Sequence, residues 1–271
     1  MTAPSKLKLS MDGPVAVIAL NDPSSLNAAS VDLAQALTVV LRGLGQPGAA
    51  FGAEARALVL TGEGRAFCSG ANLSTGAASS TFGTQGKPDP GPSLDHTYNP
   101  LMETLRALPI PIVTAVNGAA AGIGCSIALM GDLIVAGESG YFLQAFRRIG
   151  LVPDGGSTWL LSRMVGKARA AELTLLGEKL PAKTALEWGL INRCVADDQL
   201  MSSAIALARN LADGPASLAL IRKLMWDGME AGLSDQLHAE SLAQTQAAAS
   251  QDFVEGVSAF FQKRPAKFTG R

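Results

Sequence analysis

Two glycine-rich stretches carry the residues best suited to chemistry. They are Arg65-Ala66-Phe67-Cys68-Ser69-Gly70-Ala71-Asn72-Leu73 and Asn117-Gly118-Ala119-Ala120-Ala121-Gly122-Ile123-Gly124-Cys125-Ser126, and each follows an apolar run with strand character. Glycine lets main-chain N–H groups face a ligand, and a helix start adds partial positive charge. A dinucleotide-binding turn would need its third Gly or Ala at Ile127, and a P-loop would need Gly-Lys followed by Ser or Thr, so both phosphate readings fail. What remains is an oxyanion hole, with one N–H from each turn aimed at an oxygen that becomes negative. The alternative is that Gly118, Gly122 and Gly124 only permit close helix packing, and spacing alone weighs the two equally.

A third stretch, Gly150-Leu151-Val152-Pro153-Asp154-Gly155-Gly156-Ser157, places one carboxylate on a tight turn before Trp159-Leu160-Leu161. Asp before Gly at a helix start is commonly an N-cap. The sharper role is a general acid/base whose pKa is raised in an apolar site. Cys125 stands where a helix N-terminus could activate a thiol, although a buried small residue is the commoner role. His96 and His238 lack any local motif and are expected to be structural or solvent-facing. No His/Cys/Asp cluster has metal-ligand spacing.

The elements that must position these groups follow from periodicity. Val15–Leu20 is the first strand candidate, followed by the turn signal Asn21-Asp22-Pro23. Ser30 is placed as N-cap of a helix with Leu33, Leu37, Val40 and Leu41 on one face. A Gly/Ala/Pro connection leads to a buried strand at Ala57–Thr61, completing an α/β rhythm. Ser74–Asp95 has no apolar periodicity and is expected to be a surface loop acting as a lid, with order resuming in a helix containing Leu101, Leu105 and Leu108. A strand at Ile112–Val116, a helix from about Gly124 to Met130 and a strand at Leu133–Ala136 follow. Pro181 suits the first turn of a helix ending near Gly189. Beyond it, Leu200, Ala204, Leu207 and Leu211 share one helical face and Leu218, Ile221 and Met225 another.

Composition sets the outer limits. The 271 residues are 48% hydrophobic and 17% charged, enough for one large core. With 22 basic against 23 acidic residues, no basic footprint for nucleic acid or an anionic membrane surface is visible. Three widely separated Cys suggest neither a disulfide framework nor a zinc site and fit a reducing compartment. The uncharged window Ala107–Met130 is long enough for a membrane span. It contains Pro109, Pro111, Asn117, Gly118, Gly122 and Gly124, which suit a buried strand, turn and short helix instead. Met1–Ser10 lacks an apolar core of signal-peptide length, so a cytoplasmic location is expected.

In ordered motifs the chain resembles the crotonase (enoyl-CoA hydratase/isomerase) superfamily from about Val15 to Arg271. Asn27-Ala28, the two glycine-rich turns and Glu255-Gly256-Val257-Ser258-Ala259-Phe260-Phe261-Gln262-Lys263-Arg264 carry the resemblance. It implies an α/β fold: a spiral of ββα turns over residues 1–200, and a helical trimerisation region over 201–271. It also implies a homotrimer or dimer of trimers. The implied substrate is an acyl-CoA thioester, with no cofactor beyond the CoA that the substrate carries. The thioester oxygen would be held by the N–H groups of Ala71 and Ile123. Ser69, Asn72, Leu73, Gly122 and Phe146 would line the substrate, with Phe260 and Lys263 supplied by a neighbouring subunit.

The two Glu of the family's hydratases fall at Ser126 and Phe146 here, which disfavours ordinary hydration. The surviving carboxylate, Asp154, stands where Δ3,Δ2-enoyl-CoA isomerases and the ring-epoxide isomerases of phenylacetate catabolism carry theirs, raising its acid/base reading above the cap. Tyr98-Asn99-Pro100-Leu101, Glu187-Trp188-Gly189 and Phe268-Thr269-Gly270 strengthen the likeness to that isomerase type. The regions 43–56 and 74–97 depart from it.

Overall fold

A computed structural model describes residues 6–72 and 89–271. Along the chain β1 (Leu7–Asp12) and β2 (Val15–Leu20) form a hairpin about Gly13. Then come α1 (Val31–Gly43), β3 (Ala57–Gly62), β4 (Ala66–Cys68), the single helical turn α2 (Gly91–Ser93) and α3 (Asn99–Ala107). They are followed by β5 (Ile112–Val116), β6 (Ala119–Ala121), α4 (Ile123–Ala128), β7 (Leu133–Gly137), β8 (Tyr141–Leu143), α5 (Ser157–Met164) and α6 (Gly166–Ala171). The remainder is β9 (Lys179–Pro181), α7 (Ala182–Glu187), β10 (Arg193–Val195), α8 (Leu200–Ala212), α9 (Ser217–Gly228), α10 (Leu233–Ala248) and α11 (Gln251–Gln262).

Six strands form one sheet in the order β1-β2-β3-β5-β7-β10, parallel except for β1 with β2. The short strands β4-β6-β8-β9 form a second. Three times, a strand of the large sheet (β3, β5, β7) is followed within a few residues by one of the small sheet (β4, β6, β8). This repeat is the ββα spiral. Every residue of β3 and β5 is buried, as expected of parallel strands covered on both faces.

One face of the large sheet is covered by α8. Its buried residues are Leu200, Ala204, Ala208 and Ala212, which lie on Val15, Val59, Val113 and Val135. Leu207 and Leu211, expected at the centre of that face, are its partly buried flanks, because alanines at every fourth position let the helix axis approach the strands. The strand β1, not anticipated, pairs with all of β2. The end of the expected loop is also corrected: Gly91–Ser93 and the π-helical turn Leu94–Tyr98 run into α3, so helix begins well before Leu101. Leu108 is the C-cap of α3 rather than a residue within it. The stretch 73–88, with Leu73 and most of the expected lid, lies outside the described residues.

The expected apolar face of α9 is overturned. Ile221 and Met225 are 48% and 67% exposed, whereas Arg222 and Trp226 are buried. The reason is electrostatic. Arg222 donates to Asp132 at 2.7 Å and to the carbonyls of Leu105, Arg106 and Leu108 at 2.6–2.8 Å, closing the C-terminal end of α3, where carbonyls lack helical partners. Truncation of a buried ion-pair member leaves its partner uncompensated. Arg222→Met is therefore expected to lower stability by about 3 to 5 kcal/mol, read by urea unfolding. An unchanged midpoint would contradict the assignment.

Ile221, Met225, Leu237, Phe253, Val257 and Phe260 line an open groove of about 1460 Å³ between α9, α10 and α11. Asp252 accepts from the N–H groups of Ala216, Thr269 and Gly270, fastening the C-terminal Phe268-Thr269-Gly270 segment to α11 and the start of α9. No helix among the described residues is long and apolar enough to cross a membrane.

Candidate active site

The first glycine-rich turn is built on Asn27. This residue is fully buried at φ 56°, accepts from the N–H of Asp22 at 2.8 Å and donates to the carbonyls of Glu63 and Ala66 at 2.9 and 2.7 Å. Asn tolerates the left-handed region better than other non-glycine residues. Asn27→Ala would lose three hydrogen bonds and add backbone strain. We expect about 3 kcal/mol or more of destabilisation in denaturant titration. From the other turn, the Asn117 amide donates to the carbonyls of Gly62 and Gly64 at 2.7 and 2.9 Å, tying the β3–β4 corner to the β5–β6 corner.

The two turns meet backbone to backbone. A Cβ built on Gly70 would lie 3.2 Å from the carbonyl oxygen of Ala121, and one built on Gly122 would lie 3.6 Å from Cα of Gly70. Gly122 has φ 53° and ψ −129°, a conformation L side chains resist, and it precedes Ile123 at the first position of α4. Gly124 packs so closely on β4 that a Cβ would stand 2.4 Å from the Cys68 carbonyl oxygen. Close packing is present at Gly118 and Gly124, whereas Gly122 has room for a Cβ and a backbone conformation that favours glycine. Among the described residues, neither the Ala71 nor the Ile123 N–H donates to a backbone carbonyl.

Asp154 is brought to the same place. A Cβ on Gly155 would fall 2.4 Å from Cδ1 of Ile123 and 2.8 Å from Cβ of Ser126, so this loop lies on the first turn of α4. The Ser126 hydroxyl donates to the Asp154 carbonyl at 2.9 Å. The cap reading of Asp154 is overturned: the N-cap of α5 is Gly156, and no side chain caps that helix. Oδ1 of Asp154 is buried without a hydrogen-bond partner, and burial pushes the carboxyl up from its ordinary 3.8 to about 6. Phe146 is buried, with its ring 3.7 Å from a Cβ position on Gly122.

The other expected site residues are distributed as follows. Ser69 is half-buried, and its hydroxyl donates to the Ser25 carbonyl at 3.0 Å, so it holds the turn as well as bordering it. Asn72 closes the described part of the turn, and Leu73 lies outside the described residues. Phe260, 79% exposed, and Lys263, the exposed C-cap of α11, belong to the C-terminal helices, and the groove there contains none of Ala71, Ile123 and Asp154.

Burial pushes the Cys68 and Cys125 thiols up to about 11 and about 12, which removes Cys125 as an activated nucleophile. His96 and His238 are exposed. Among the described residues no group of three His, Cys, Asp or Glu could hold a metal.

Two residues went unnoticed as site members. Tyr98 is buried, and its hydroxyl is pushed up first by that burial and then by the charge of Asp154. Gln144 is fully buried beside Cys125 and Ser157, with Nε2 lacking a partner. Tyr98 had a signal, the Tyr98-Asn99-Pro100-Leu101 motif, whereas an isolated Gln in an apolar strand end has none.

The family model described as "Enoyl-CoA hydratase/isomerase" matches residues 10–271. The chain belongs to the enoyl-CoA hydratase/isomerase family. It is 43% identical to a Rhodobacter capsulatus protein named "Probable enoyl-CoA hydratase", over 95% of each chain. It is 41% identical to the 1,2-epoxyphenylacetyl-CoA isomerase of Escherichia coli, again over 95% of each. Among solved structures, an enoyl-CoA hydratase from Bacillus anthracis superposes with a TM-score of 0.88 at 27% identity, over 98% of this chain and all of that one. Within this crotonase superfamily the spiral and the C-terminal helices are shared architecture, so the chemistry must be argued from Ser126, Phe146 and Asp154.

Proposed function

We propose that the protein is an acyl-CoA isomerase in which the N–H groups of Ala71 and Ile123 hold the thioester oxygen and Asp154 moves the proton. The observation that carries this reading is the buried, unpartnered oxygen of Asp154, on a carboxyl titrating at about 6, beside the first turn of α4. With Ser126 and Phe146 at the other two positions, no second carboxylate is there to activate a water.

The Asp154 carboxylate takes a proton from C2 of a 3-enoyl-CoA, leaving a dienolate whose charge rests on the thioester oxygen. The carboxylic acid so formed returns the proton at C4, giving the 2-enoyl-CoA and restoring the carboxylate. One group serves both steps because C2 and C4 present the same face of the dienolate. A positioned acid/base contributes about 10² to 10⁴ in rate and each oxyanion donor about 3 to 4 kcal/mol. The relative from Escherichia coli favours a second substrate, a ring-epoxide phenylacetyl-CoA opened and expanded to an oxepin by the same groups. Hydration remains the competing reading, favoured by the name of the Rhodobacter capsulatus relative.

The CoA portion would run along Ser69, Ala71 and Asn72 and be completed by Phe260 and Lys263 of a neighbouring copy in a homotrimer or dimer of trimers, within the cytoplasm. The exposed apolar groove among the C-terminal helices supports such an assembly. Incubation with 3-hexenoyl-CoA should raise the absorbance of the conjugated thioester, and 2-hexenoyl-CoA should keep its absorbance. Rapid loss from 2-hexenoyl-CoA with no gain from 3-hexenoyl-CoA would replace the isomerase by a hydratase.

A further inference from the structure

We propose that Tyr98 is a positioning residue for the oxyanion hole, holding through Ala29 the peptide that presents the Ala71 N–H. The proposal rests on the reading of Ala71 and Ile123 as the oxyanion donors.

Tyr98 ends the π-helical turn Leu94–Tyr98 and is 5% exposed. Its hydroxyl donates to the carbonyl of Ala29 at 2.6 Å. Ala29, fully buried just before the N-cap of α1, donates its own N–H to the carbonyl of Gly70 at 2.8 Å. The Gly70 carbonyl and the Ala71 N–H belong to one planar trans peptide, so fixing the direction of the first fixes that of the second. A hydrogen bond accepted at that carbonyl also polarises the N–H on the other side of the peptide.

Ala29 and Ala71 form an isolated parallel bridge outside both sheets. This peptide lies in a bridge rather than in a ladder, and Tyr98 secures the Ala29 side of that bridge. The Tyr98 hydroxyl is pushed up to about 12, by burial first and then by the charges of Asp154 and Cys68, so it stays a protonated donor. Its proton is committed to Ala29, which separates it from Asp154 as a proton carrier.

The test compares wild type with Tyr98→Phe, using carbonyl-labelled hexanoyl-CoA, a saturated probe that binds without turnover. Difference infrared spectroscopy should show the thioester stretch lowered on binding to wild type and lowered about half as far in Tyr98→Phe. With 3-hexenoyl-CoA, kcat should fall about 5- to 20-fold, a fraction of the 10²- to 10³-fold cost of losing a donor outright, with KM changed less than about three-fold.

Thr38→Val is the control, since it also removes a buried hydroxyl bonded to a carbonyl, that of Ala34, with no link to Ala71. It should lower the melting temperature and leave the carbonyl stretch and kcat unchanged. An unaltered stretch in Tyr98→Phe, or the same change in Thr38→Val, would overturn the proposal. If wild type itself shows no lowered stretch, the oxyanion reading fails first and the proposal falls with it, so the two failures are told apart by the wild-type spectrum.

Discussion

Asp154→Asn is expected to abolish isomerisation of 3-hexenoyl-CoA while making the protein more stable at neutral pH. The loss in kcat follows from removing the proposed proton carrier, at least about 10²- to 10⁴-fold. The gain follows from linkage. The folded carboxyl titrates at about 6 against an ordinary 3.8, so folding favours its protonated form. That contribution is fully present below about pH 4 and disappears as pH rises through about 6, where the native state must ionise a buried oxygen that has no partner. The difference corresponds to about 2 to 3 kcal/mol.

Melting temperatures of wild type and Asp154→Asn should therefore agree near pH 4 and separate above pH 7, with the variant higher. In wild type, kcat/KM should decline as pH falls below about 6, where the base is protonated. A constant melting difference across that range would mean Asp154 is not the desolvated group described.

The second large effect is expected at the glycines of the second turn, where two variants separate two causes. In Gly124→Ala the new Cβ would meet the Cys68 carbonyl oxygen at 2.4 Å and the Cys68 Cβ and Sγ at 2.7 Å, so either α4 or β4 must move. Overpacking of this kind costs about 1 to 3 kcal/mol and displaces the start of α4, with kcat down about 10²-fold or more. In Gly122→Ala the space is adequate, since the nearest atoms lie 3.6 and 3.7 Å away, but φ 53° with ψ −129° is strained by about 1 to 3 kcal/mol. The Gly122–Ile123 peptide carries the Ile123 N–H, so relaxing that strain turns the donor and should cost about 10²- to 10³-fold in kcat.

Gly166→Ala is the comparison: φ is 76°, nothing lies within 4 Å, and it joins α5 to α6. It should lose about 1 kcal/mol and keep full kcat. Equal kinetic losses in all three variants would point to general destabilisation instead.

The sequence made legible those elements whose burial imposes a pattern. Val15–Leu20 and Ile112–Val116 are complete strands as read, Ala57–Thr61 falls one residue short of Gly62, and Ser30 caps α1 by accepting from the Leu33 N–H. The small sheet was not legible, because three-residue strands such as Ala66–Cys68 and Tyr141–Leu143 are too short to show periodicity. The first strand did carry a signal in the alternation from Leu7 to Asp12 followed by Gly13.

The face of α9 was misread because periodicity finds apolar stripes and cannot say which stripe faces the core; Arg222 outweighs Ile221 and Met225 through bonds to residues about 90 to 117 positions away. Of the site, the two turns and Asp154 were legible as candidates. The meeting of Asp154 with α4 was not, since it depends on Gly155 fitting against Ile123 and Ser126 across the fold.

Because the two turns meet through main-chain atoms at Gly70, Ala121 and Gly122, the proposed thioester cradle has walls of backbone, which the side chains of Asn27, Asn117 and Tyr98 brace from outside. The Asp154 carboxyl lies beside that frame without building it, whereas Ser126 is part of α4 and its hydroxyl holds the Asp154 carbonyl. In the proposed reading, frame and reagent are separable parts, and an engineer could exchange the carboxyl at position 154 while the frame keeps its dimensions.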